Sequence, residues 1–296
     1  MNREPAWLSA FRRNVHSQTG EDGVIEKLLQ TLPERDRWCV EFGAWDGINL
    51  SNTRNLIESA GYSSVQIEGS KAKCDQLRKN YASNSNVIPV NAFVGFNAHD
   101  GLDAILAPYP VPRDFDFLSI DVDGNDYHIW KAVSGYRPKA VCVEFNPTVP
   151  TELKFVQRAH PAVHQGASLH SLVELGKEKG YELVSVLPFN AFFVDARYFP
   201  LFEIADNRPE TLRTDLSHVT YLYSGYDGAI ILEGSRQLPW HLLPIKASAF
   251  EPLPKFLRKY PGDYNRFELR AYRTLQKLDK LRTRLRQLWR RDGSRG

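Results

Sequence analysis

Short apolar segments alternate with segments of helical periodicity between residues 36 and 200, and this alternation limits the folds open to the chain. Short apolar runs that end in polar or glycine-containing turns are typical of strands buried on both faces of a sheet. The predicted strands are Trp38–Phe42, Ser64–Glu68, Asn86–Val90, Phe115–Asp121, Ala140–Phe145, Tyr181–Val186 and Ala191–Val194. The predicted helices are Val24–Leu29, Asn52–Ser59, Lys71–Tyr81, Asp126–Val133 and Leu169–Lys179. Such alternation forms βαβ units, so the sequence predicts an α/β fold with a doubly wound, mostly parallel sheet.

The alternation ends near Pro200, and the residues beyond it follow other patterns. The apolar segments Val219–Tyr223 and Ala229–Leu232 flank a glycine-containing turn and predict a β-hairpin. Apolar residues of the C-terminal tail recur at steps of three and four, a spacing typical of amphipathic or coiled-coil helices. They are Tyr264, Phe267, Ala271, Leu278, Leu281, Leu285 and Leu288. We therefore divide the chain into an N-terminal cap segment (1–35), a core (36–200), an accessory hairpin with loops (201–254) and a basic helical tail (255–296).

Charge is distributed unevenly along the chain. Residues 255–296 contain 14 Lys and Arg against 4 Asp and Glu, whereas residues 1–254 carry a net charge of −7. The hydrophobic fraction of 42% and the charged fraction of 25% are those of a globular protein, which argues against disorder. No apolar run reaches the roughly 18 residues of a spanning helix, and the N-terminus lacks the apolar stretch of a secretion signal. We expect a cytoplasmic protein, and membrane binding by the basic tail would place it peripherally at the inner face of the membrane.

A glycine-containing loop, Gly43–Gly47, follows the first predicted strand and lies where ligands bind in open parallel sheets. Alone, the loop is equally compatible with a ligand site and with a simple turn. Glu68 ends the second strand, where a carboxylate can accept both hydroxyl protons of a ribose. The loop lacks the Gly-x-Gly-x-x-Gly pattern that binds a pyrophosphate, and the acids Glu41 and Asp46 would repel phosphates. These features favour a nucleoside with a cationic group, as in S-adenosylmethionine (SAM).

Four motifs together resemble the FkbM-like group of SAM-dependent class I methyltransferases, which have a Rossmann-like fold. The motifs are Ser17–Asp22, Val40–Thr53, Ile67–Ser70 and Phe117–Asp126, and the resemblance covers about residues 14 to 195. It implies that the core binds SAM and transfers its methyl group. The chain departs from the commoner pattern of the group by having Asp123 where Glu is frequent.

The resemblance also implies which residues contact the cofactor. Gly43, Ala44 and Asp46 would line the methionine part of SAM, with Glu41 adding negative charge beside it. Glu68 and Gly69 would hold the ribose, while Gln18 and Gly20 would close over the methionine carboxylate. The remaining expected contacts are Ala92 and Phe93 beside the adenine, and Asp121 near the methionine backbone.

Acidic and amide side chains follow the fourth and fifth predicted strands. Asp121 and Asp123 end the fourth strand, and Glu144 and Asn146 end the fifth. Because parallel strands bring their carboxyl ends to one edge, these four groups are expected to converge there. Oxygen ligands of this kind suit Mg²⁺ or Mn²⁺, and Ca²⁺ as well. The alternative is that Asp121 binds SAM while Asp123 and Asn146 cap loops.

Transfer of a methyl group to a hydroxyl requires a base within hydrogen-bond reach of the acceptor proton. His164 and Asp123 are the leading candidates, and His128 is a further one because it follows the acidic loop. The proline-containing segment Asn146–Pro150 reads as a rigid loop that lines the acceptor pocket or simply leaves the strand.

The basic tail has three possible roles: it binds an anionic membrane or a glycan-assembly complex, forms a homo-oligomer, or folds back on the acidic body. Trp289 beside Arg290 and Arg291 favours the membrane surface, whereas the spacing from Leu278 to Leu288 favours self-association. Nucleic acid is not expected as a partner, because no aromatic platform accompanies the charge.

Three functions remain open on these grounds. The first is O-methylation of a sugar hydroxyl in a cell-surface glycan or its precursor, which rests on the resemblance and on the tail. The second is methylation of a small hydroxylated metabolite or lipid. The third is a non-catalytic SAM-binding scaffold, although such a scaffold has no need of the acids between Asp121 and Asn146.

Overall fold

The computed structural model describes residues 4–292, with side chains described up to residue 284 of the C-terminal helix. The structure divides into two compact units, Met1–Leu216 and Ser217–Gly296. The predicted site residues all belong to the first unit. Of the tail residues, Leu285, Leu288, Trp289, Arg290 and Arg291 lie outside the described side chains.

The first unit is built on a seven-stranded sheet with the order β3-β2-β1-β4-β5-β7-β6. The strands are β1 Trp38–Phe42, β2 Ser63–Glu68, β3 Val87–Asn91, β4 Phe117–Ile120, β5 Ala140–Glu144, β6 Tyr181–Val186 and β7 Asn190–Asp195. Strands β1 to β5 pair in parallel, whereas β7 runs antiparallel to both β5 and β6. The prediction of a doubly wound, mostly parallel sheet is confirmed.

Helices cover both faces of this sheet. They are α1 Glu21–Thr31, α2 Arg54–Ala60, α3 Lys71–Asn80, α4 Leu102–Leu106, α5 Asp126–Ala132, α6 Leu169–Glu178 and α7 Pro209–Leu212. Helices α1 to α3 pack with one buried apolar cluster, and α4 to α7 pack with the other. Alternate strand residues supply the two clusters: Cys39 belongs to the α1–α3 face and Val40 to the α4–α7 face. The doubly wound arrangement follows from this two-sided burial.

The fourth strand, β4, is shorter than the predicted strand Phe115–Asp121. Phe115 and Asp116 precede β4, and the buried carboxylate of Asp116 accepts hydrogen bonds from the amides of Asp36 and Arg37. Lys139 also contacts this carboxylate, at 2.6 Å. The main chain of Asp116 also bonds to both neighbours, because its amide donates to the oxygen of Trp38 and its oxygen accepts from the amide of Ala140. Asp116 therefore joins the entrances of β1, β4 and β5.

The second unit contains two small hairpins and a long helix. The predicted hairpin is confirmed as β8 Thr220–Ser224 and β9 Ile230–Gly234, which pair antiparallel. A second pair, β10 Gln237–Leu238 and β11 Leu243–Pro244, follows it. The helix α8 spans Arg266–Asp292. Among the described residues, no helix is long and apolar enough to cross a bilayer.

Candidate active site at the carboxyl edge of the sheet

The strand registers align five residues side by side at the carboxyl edge of the sheet. In order across β2, β1, β4, β5 and β7 they are Glu68, Gly43, Asp121, Glu144 and Asn190. The adjacent residue of each strand belongs to the cluster on the α4–α7 face, so this row lies on the α1–α3 face. Gly43 is exposed and adds no side chain between the carboxylates of Glu68 and Asp121, and the main-chain oxygen of Asp121 occupies the place that a Cβ would take. The row therefore combines anionic groups with a place where a ligand could approach the backbone.

Glu68 joins the loops that follow β1 and β2. Its Oε2 accepts a hydrogen bond from the amide of Trp45 at 2.9 Å, and its Oε1 accepts one from the amide of Ser70 at 2.6 Å. The side chain is only 9% exposed, so these two amides hold it in one orientation. Each carboxylate oxygen has a second lone pair and can accept a further hydrogen bond. Glu68 is thus oriented as a bidentate acceptor, as the ribose prediction requires.

An exposed aromatic ring stands beside Glu68. The amide of Ala92 donates to the main-chain oxygen of Glu68, which places the residues after β3 next to the end of β2. Phe93 is 70% exposed, and a Cβ on Gly69 would lie 3.0 Å from its ring. Because Gly69 has no side chain, the ring of Phe93 can lie against the backbone at this position. A flat apolar group such as adenine could pack on this surface.

Glu41 and Asp46 hold the loop after β1. The buried carboxylate of Glu41 accepts hydrogen bonds from Ser51 Oγ, the amide of Asn52 and Thr53 Oγ1. Burial raises the pKa of Glu41, and these donors oppose that rise. Glu41 was expected to add charge beside the cofactor, but its hydrogen bonds assign it to the loop.

Asp46 is engaged in the same way, close to the surface. Its Oδ1 accepts the amides of Ile48 and Asn49, and its Oδ2 accepts Asn49 Nδ2. Partial burial disfavours the charged form, yet the hydrogen bonds from Asn49 and Ile48 prevail and lower the pKa of Asp46. A permanently charged Asp46 at this position remains compatible with a cationic ligand.

The segment before α1 is tied down by acids that the sequence analysis did not single out. Asp22 Oδ2 accepts the amides of Val15, His16 and Ser17 at 2.7–2.8 Å. Glu21 accepts Nδ2 of Asn190 at 3.2 Å, which connects the segment to the last member of the row. The neighbouring predicted residues differ in exposure: Gln18 is exposed and Gly20 is buried. Gly20 has φ +109°, and a Cβ there would lie 2.8 Å from Arg12 Cβ.

Three of the four predicted metal ligands come together. Asp121, Asp123 and Glu144 each offer an oxygen within 4.8 Å of the others. Burial and the negative charges of Asp126 and Asp123 raise the pKa of Asp121 to about 8, and burial with the charge of Asp121 raises that of Glu144 well above its usual value. Such mutual repulsion is relieved by a proton shared between the carboxyl groups or by a cation between them.

The prediction of Asn146 as the fourth ligand is not supported. Its only ligand atom, Oδ1, accepts hydrogen bonds from both the amide and the hydroxyl of Thr148, at 2.9 and 2.6 Å. Its Nδ2 donates to the main-chain oxygen of Gln165 at 2.9 Å. Asn146 therefore caps the loop after β5, which was the alternative interpretation of this residue.

The two candidate histidines lie in different environments. His164 is exposed, and its Nδ1 lies 3.1 Å from the main-chain oxygen of Asp123. Because a carbonyl only accepts, Nδ1 carries the proton and Nε2 is the basic nitrogen of the neutral ring. His128 contacts the main-chain oxygen of Gln157 through Nε2 at 2.7 Å and packs near the rings of Phe96 and Tyr127. The structure thus brings His164 and Asp123 together and uses His128 in packing.

Gln157 is a further residue of the site that the sequence analysis missed. Its Nε2 donates to Asn125 Oδ1 and to the main-chain oxygen of Val163, at 3.0 and 2.7 Å. Its Oε1 accepts the amides of Gln165 and Gly166 at 2.7 and 2.8 Å. The residue is 3% exposed, so all these contacts are shielded from water. Gln157 therefore fixes the loop that carries His164 to the turn that carries Asp123.

The backbone is strained at this edge. Three of the residues other than glycine that have positive φ, among those described, lie in the loops after β1 and β4: Trp45 at 52°, Leu50 at 57° and Asp123 at 55°. A left-handed conformation costs a residue with a Cβ about 1 to 3 kcal/mol, and such residues concentrate at ligand sites. This is an independent indication that the carboxyl edge is the functional edge.

The strand order and the single antiparallel strand define a Rossmann-like, doubly wound fold. No protein-family profile matches the sequence, and neither does any curated protein. Similar solved structures include the N-terminal domain of EvdMO1 in the presence of SAH and D-fucose, with 12% identity and a TM-score of 0.40 over 59% of this chain and 82% of that one. Another is a SAM-dependent methyltransferase from Aquifex aeolicus, with 11% identity and a TM-score of 0.36 over 64% and 97% of the two chains.

Proposed function

We propose that this chain is a SAM-dependent methyltransferase that methylates a hydroxyl of a sugar in a cell-surface glycan or its precursor. The proposal rests chiefly on the row from Glu68 to Glu144. This row offers Glu68 as an oriented bidentate acceptor, the exposed backbone of Gly43 and a cluster of carboxylates, all at one edge of the sheet.

Glu68, Gly43 and Phe93 form the donor half of the proposed site. Glu68 would accept the ribose hydroxyls, the exposed ring of Phe93 would pack against the adenine, and the backbone near Gly43 would meet the methionine part. Bound SAM supplies an electrophilic methyl group on a cationic sulfur. The charged Asp46 and the carboxylates beyond Gly43 favour such a cation over a phosphate.

Asp123 and His164 form the acceptor half. The basic Nε2 of His164 would take the proton from the attacking hydroxyl, and the main-chain oxygen of Asp123 fixes the ring through Nδ1. A cluster of carboxylates binds neighbouring hydroxyl groups well, because each oxygen accepts hydrogen bonds. This chemistry favours a polyhydroxylated acceptor such as a sugar over an apolar one.

Asp121, Asp123 and Glu144 also fit a divalent cation such as Mg²⁺ or Mn²⁺, because three oxygens lie close together and repel one another. A cation held there would polarise an acceptor oxygen. Calorimetric titration of EDTA-treated protein with Mn²⁺ tests this part. We expect binding in the wild type and at least tenfold weaker binding in Asp123→Asn. Absence of binding, with unchanged transfer in chelator, would remove the metal from the proposal.

Methyl transfer from labelled SAM tests the function directly. Cell-envelope glycan fractions, small hydroxylated metabolites and lipids would be compared as acceptors, with SAM binding measured separately by calorimetry. We expect transfer to the glycan fraction and its loss in Glu68→Ala. Transfer confined to metabolites or lipids would support the second function, and SAM binding without any transfer would support the scaffold.

A further inference from the structure

Helix α8 presents an apolar stripe that has no partner within the described part of its unit. Phe267, Leu278 and Leu281 are 73%, 53% and 54% exposed. At 3.6 residues per turn these three positions fall within about 60° of one another around the helix. Every described residue from 276 to 284 is exposed, so this part of the helix packs against nothing in the described part of its own unit. The stripe is therefore available to an external partner.

A row of basic residues runs beside the stripe. Arg270, Lys277 and Arg284 are spaced by one heptad and form a line along one flank of the helix. The two acids between residues 266 and 284 of the helix, Glu268 and Asp279, lie on the other flank, and Glu268 is engaged by Lys259 at 2.7 Å. The polar face next to the stripe therefore carries one sign of charge, and its partner is expected to be anionic.

A second copy of the chain fits this face poorly. In a parallel coiled coil, the positions that flank the seam meet across the two helices, and these include Lys277 and Arg282. Lys277 of one helix would meet Arg282 of the other and bring like charges together, and the acid at the same heptad position, Glu268, is already engaged by Lys259. Nucleic acid would satisfy the charges but leave Phe267, Leu278 and Leu281 in water.

The unit that contains α8 exposes further large apolar side chains. The set includes an indole ring, which favours the interface between lipid headgroups and hydrocarbon. Its members are Trp240, Leu242, Leu243, Phe250 and Phe256, each at least half exposed. Apolar side chains in this number are unfavourable in water but suit a surface that offers hydrocarbon beside negative charge.

We propose that α8 binds the surface of an anionic lipid bilayer. The stripe of Phe267, Leu278 and Leu281 enters the headgroup–hydrocarbon boundary, and the row of Arg270, Lys277 and Arg284 contacts acidic headgroups. The helix lies in the plane of the surface and does not span the bilayer. This inference does not depend on methyl transfer, because binding to lipid is measured without SAM or acceptor.

Cosedimentation of the full-length protein with vesicles tests the proposal. We expect binding to vesicles of phosphatidylcholine with phosphatidylglycerol, little binding to phosphatidylcholine alone, and weakening as salt is raised. Combined Arg270→Gln, Lys277→Gln and Arg284→Gln substitutions should lower the partition coefficient about a hundredfold, since each basic residue contributes about fivefold. The matched control neutralises three exposed basic residues of the first unit, Arg35, Lys79 and Lys177.

Two further measurements distinguish a lipid surface from a second copy of the chain as the partner of the stripe. Leu278→Gln with Leu281→Gln should abolish vesicle binding while the circular dichroism of the fold is kept. Equal binding to neutral and anionic vesicles, or an equal loss in the control variant, would overturn the proposal. A wild-type dimer that the leucine variant converts to a monomer, without any vesicle binding by either, would assign the stripe to a second copy instead.

Discussion

A Cβ on Gly43 would lie 1.7 Å from the main-chain oxygen of Asp121. The two residues follow neighbouring strands, and Gly43 has a positive φ of 76° as its chain leaves the sheet. The sequence alone attributes this glycine to close approach of a ligand. The structure adds a second reason, because the sheet edge closes only when position 43 lacks a side chain. The glycine at position 43 therefore explains both the close approach of the two strands and the missing side chain in the row.

Gly43→Ala is expected to lower the free energy of unfolding by at least about 2 kcal/mol, because it combines a left-handed backbone with a clash against fixed main chain. Gly61→Ala is the matched control, since Gly61 has φ +66° and open space around it. That control should lose only about 1 kcal/mol. Urea unfolding of both variants measures the difference, and equal losses would contradict the explanation.

Glu68→Gln should weaken SAM binding by roughly 10- to 100-fold, because a hydrogen bond to a charged acceptor contributes about 1.5 to 3 kcal/mol. An amide also offers one acceptor where Trp45 and Ser70 now have two. Calorimetry provides the dissociation constant. Glu178→Gln, which changes an exposed carboxylate on α6, should leave it unaltered. Unchanged affinity in Glu68→Gln would separate this carboxylate from the cofactor.

Much of the fold was predictable because its signals are local. Trp38–Phe42 and Tyr181–Val186 were predicted to the residue, since short, mostly apolar runs bounded by polar turns leave little choice. Helix α4, Leu102–Leu106, was missed because five residues are too few to show a helical period. Its two buried leucines, Leu102 and Leu106, become meaningful only against the finished sheet.

Site residues at the carboxyl ends of parallel strands were predictable from the sequence. Asp121 and Glu144 follow parallel neighbours, so their convergence could be deduced from the expected sheet. Asn190 could not be found this way, because its place opposite Glu144 depends on the antiparallel register of β7. Gln157 lies in a long loop, where three of its four side-chain hydrogen bonds close the loop on itself and the fourth reaches Asn125. No local pattern marks such a residue.

His164→Gln should reduce kcat by about 10²- to 10⁴-fold if the ring is the general base, with little change in SAM affinity. Asp123→Ala is the companion variant, because Asp123 is the other candidate. His170→Gln serves as the control, since His170 lies on α6 and pairs with Glu174. Steady-state transfer assays compare the three. Normal turnover in both His164→Gln and Asp123→Ala would exclude both residues as the base.

Gln157→Leu should lower both the stability and the turnover of the protein, because it leaves the amides of Gln165 and Gly166 without their acceptor. Each unsatisfied buried group costs about 1 to 3 kcal/mol, although entering water can satisfy part of the loop. Gln157→Glu retains that acceptor but replaces the donor to Asn125 and Val163 with an oxygen that repels their oxygens. Its kcat should lie between those of the wild type and Gln157→Leu, and equal kcat in all three would refute a positioning role.

Asp195 makes the stability of the first unit depend on pH. Its buried carboxylate lies against the partly exposed guanidinium groups of Arg137 and Arg197. Burial alone would raise the pKa of Asp195, but the hydrogen bonds from Arg197 and Arg137 prevail and lower it. Because the folded pKa lies below the unfolded value of about 3.9, the carboxylate stabilises the fold fully above that value. This stabilisation is lost as pH falls through the folded pKa.

Asp195→Asn should therefore be less stable than the wild type near neutral pH, by roughly 1 kcal/mol given the exposure of both guanidinium groups. The difference should stay constant from about pH 7 down to about 4 and shrink only below that value, because protonation then removes the same charge from the wild type. Urea unfolding across this range measures it, with Glu152→Gln as the exposed control. A difference that stays constant or grows below about pH 4 would show that Asp195 stabilises the fold by packing and neutral hydrogen bonds and not by its charge.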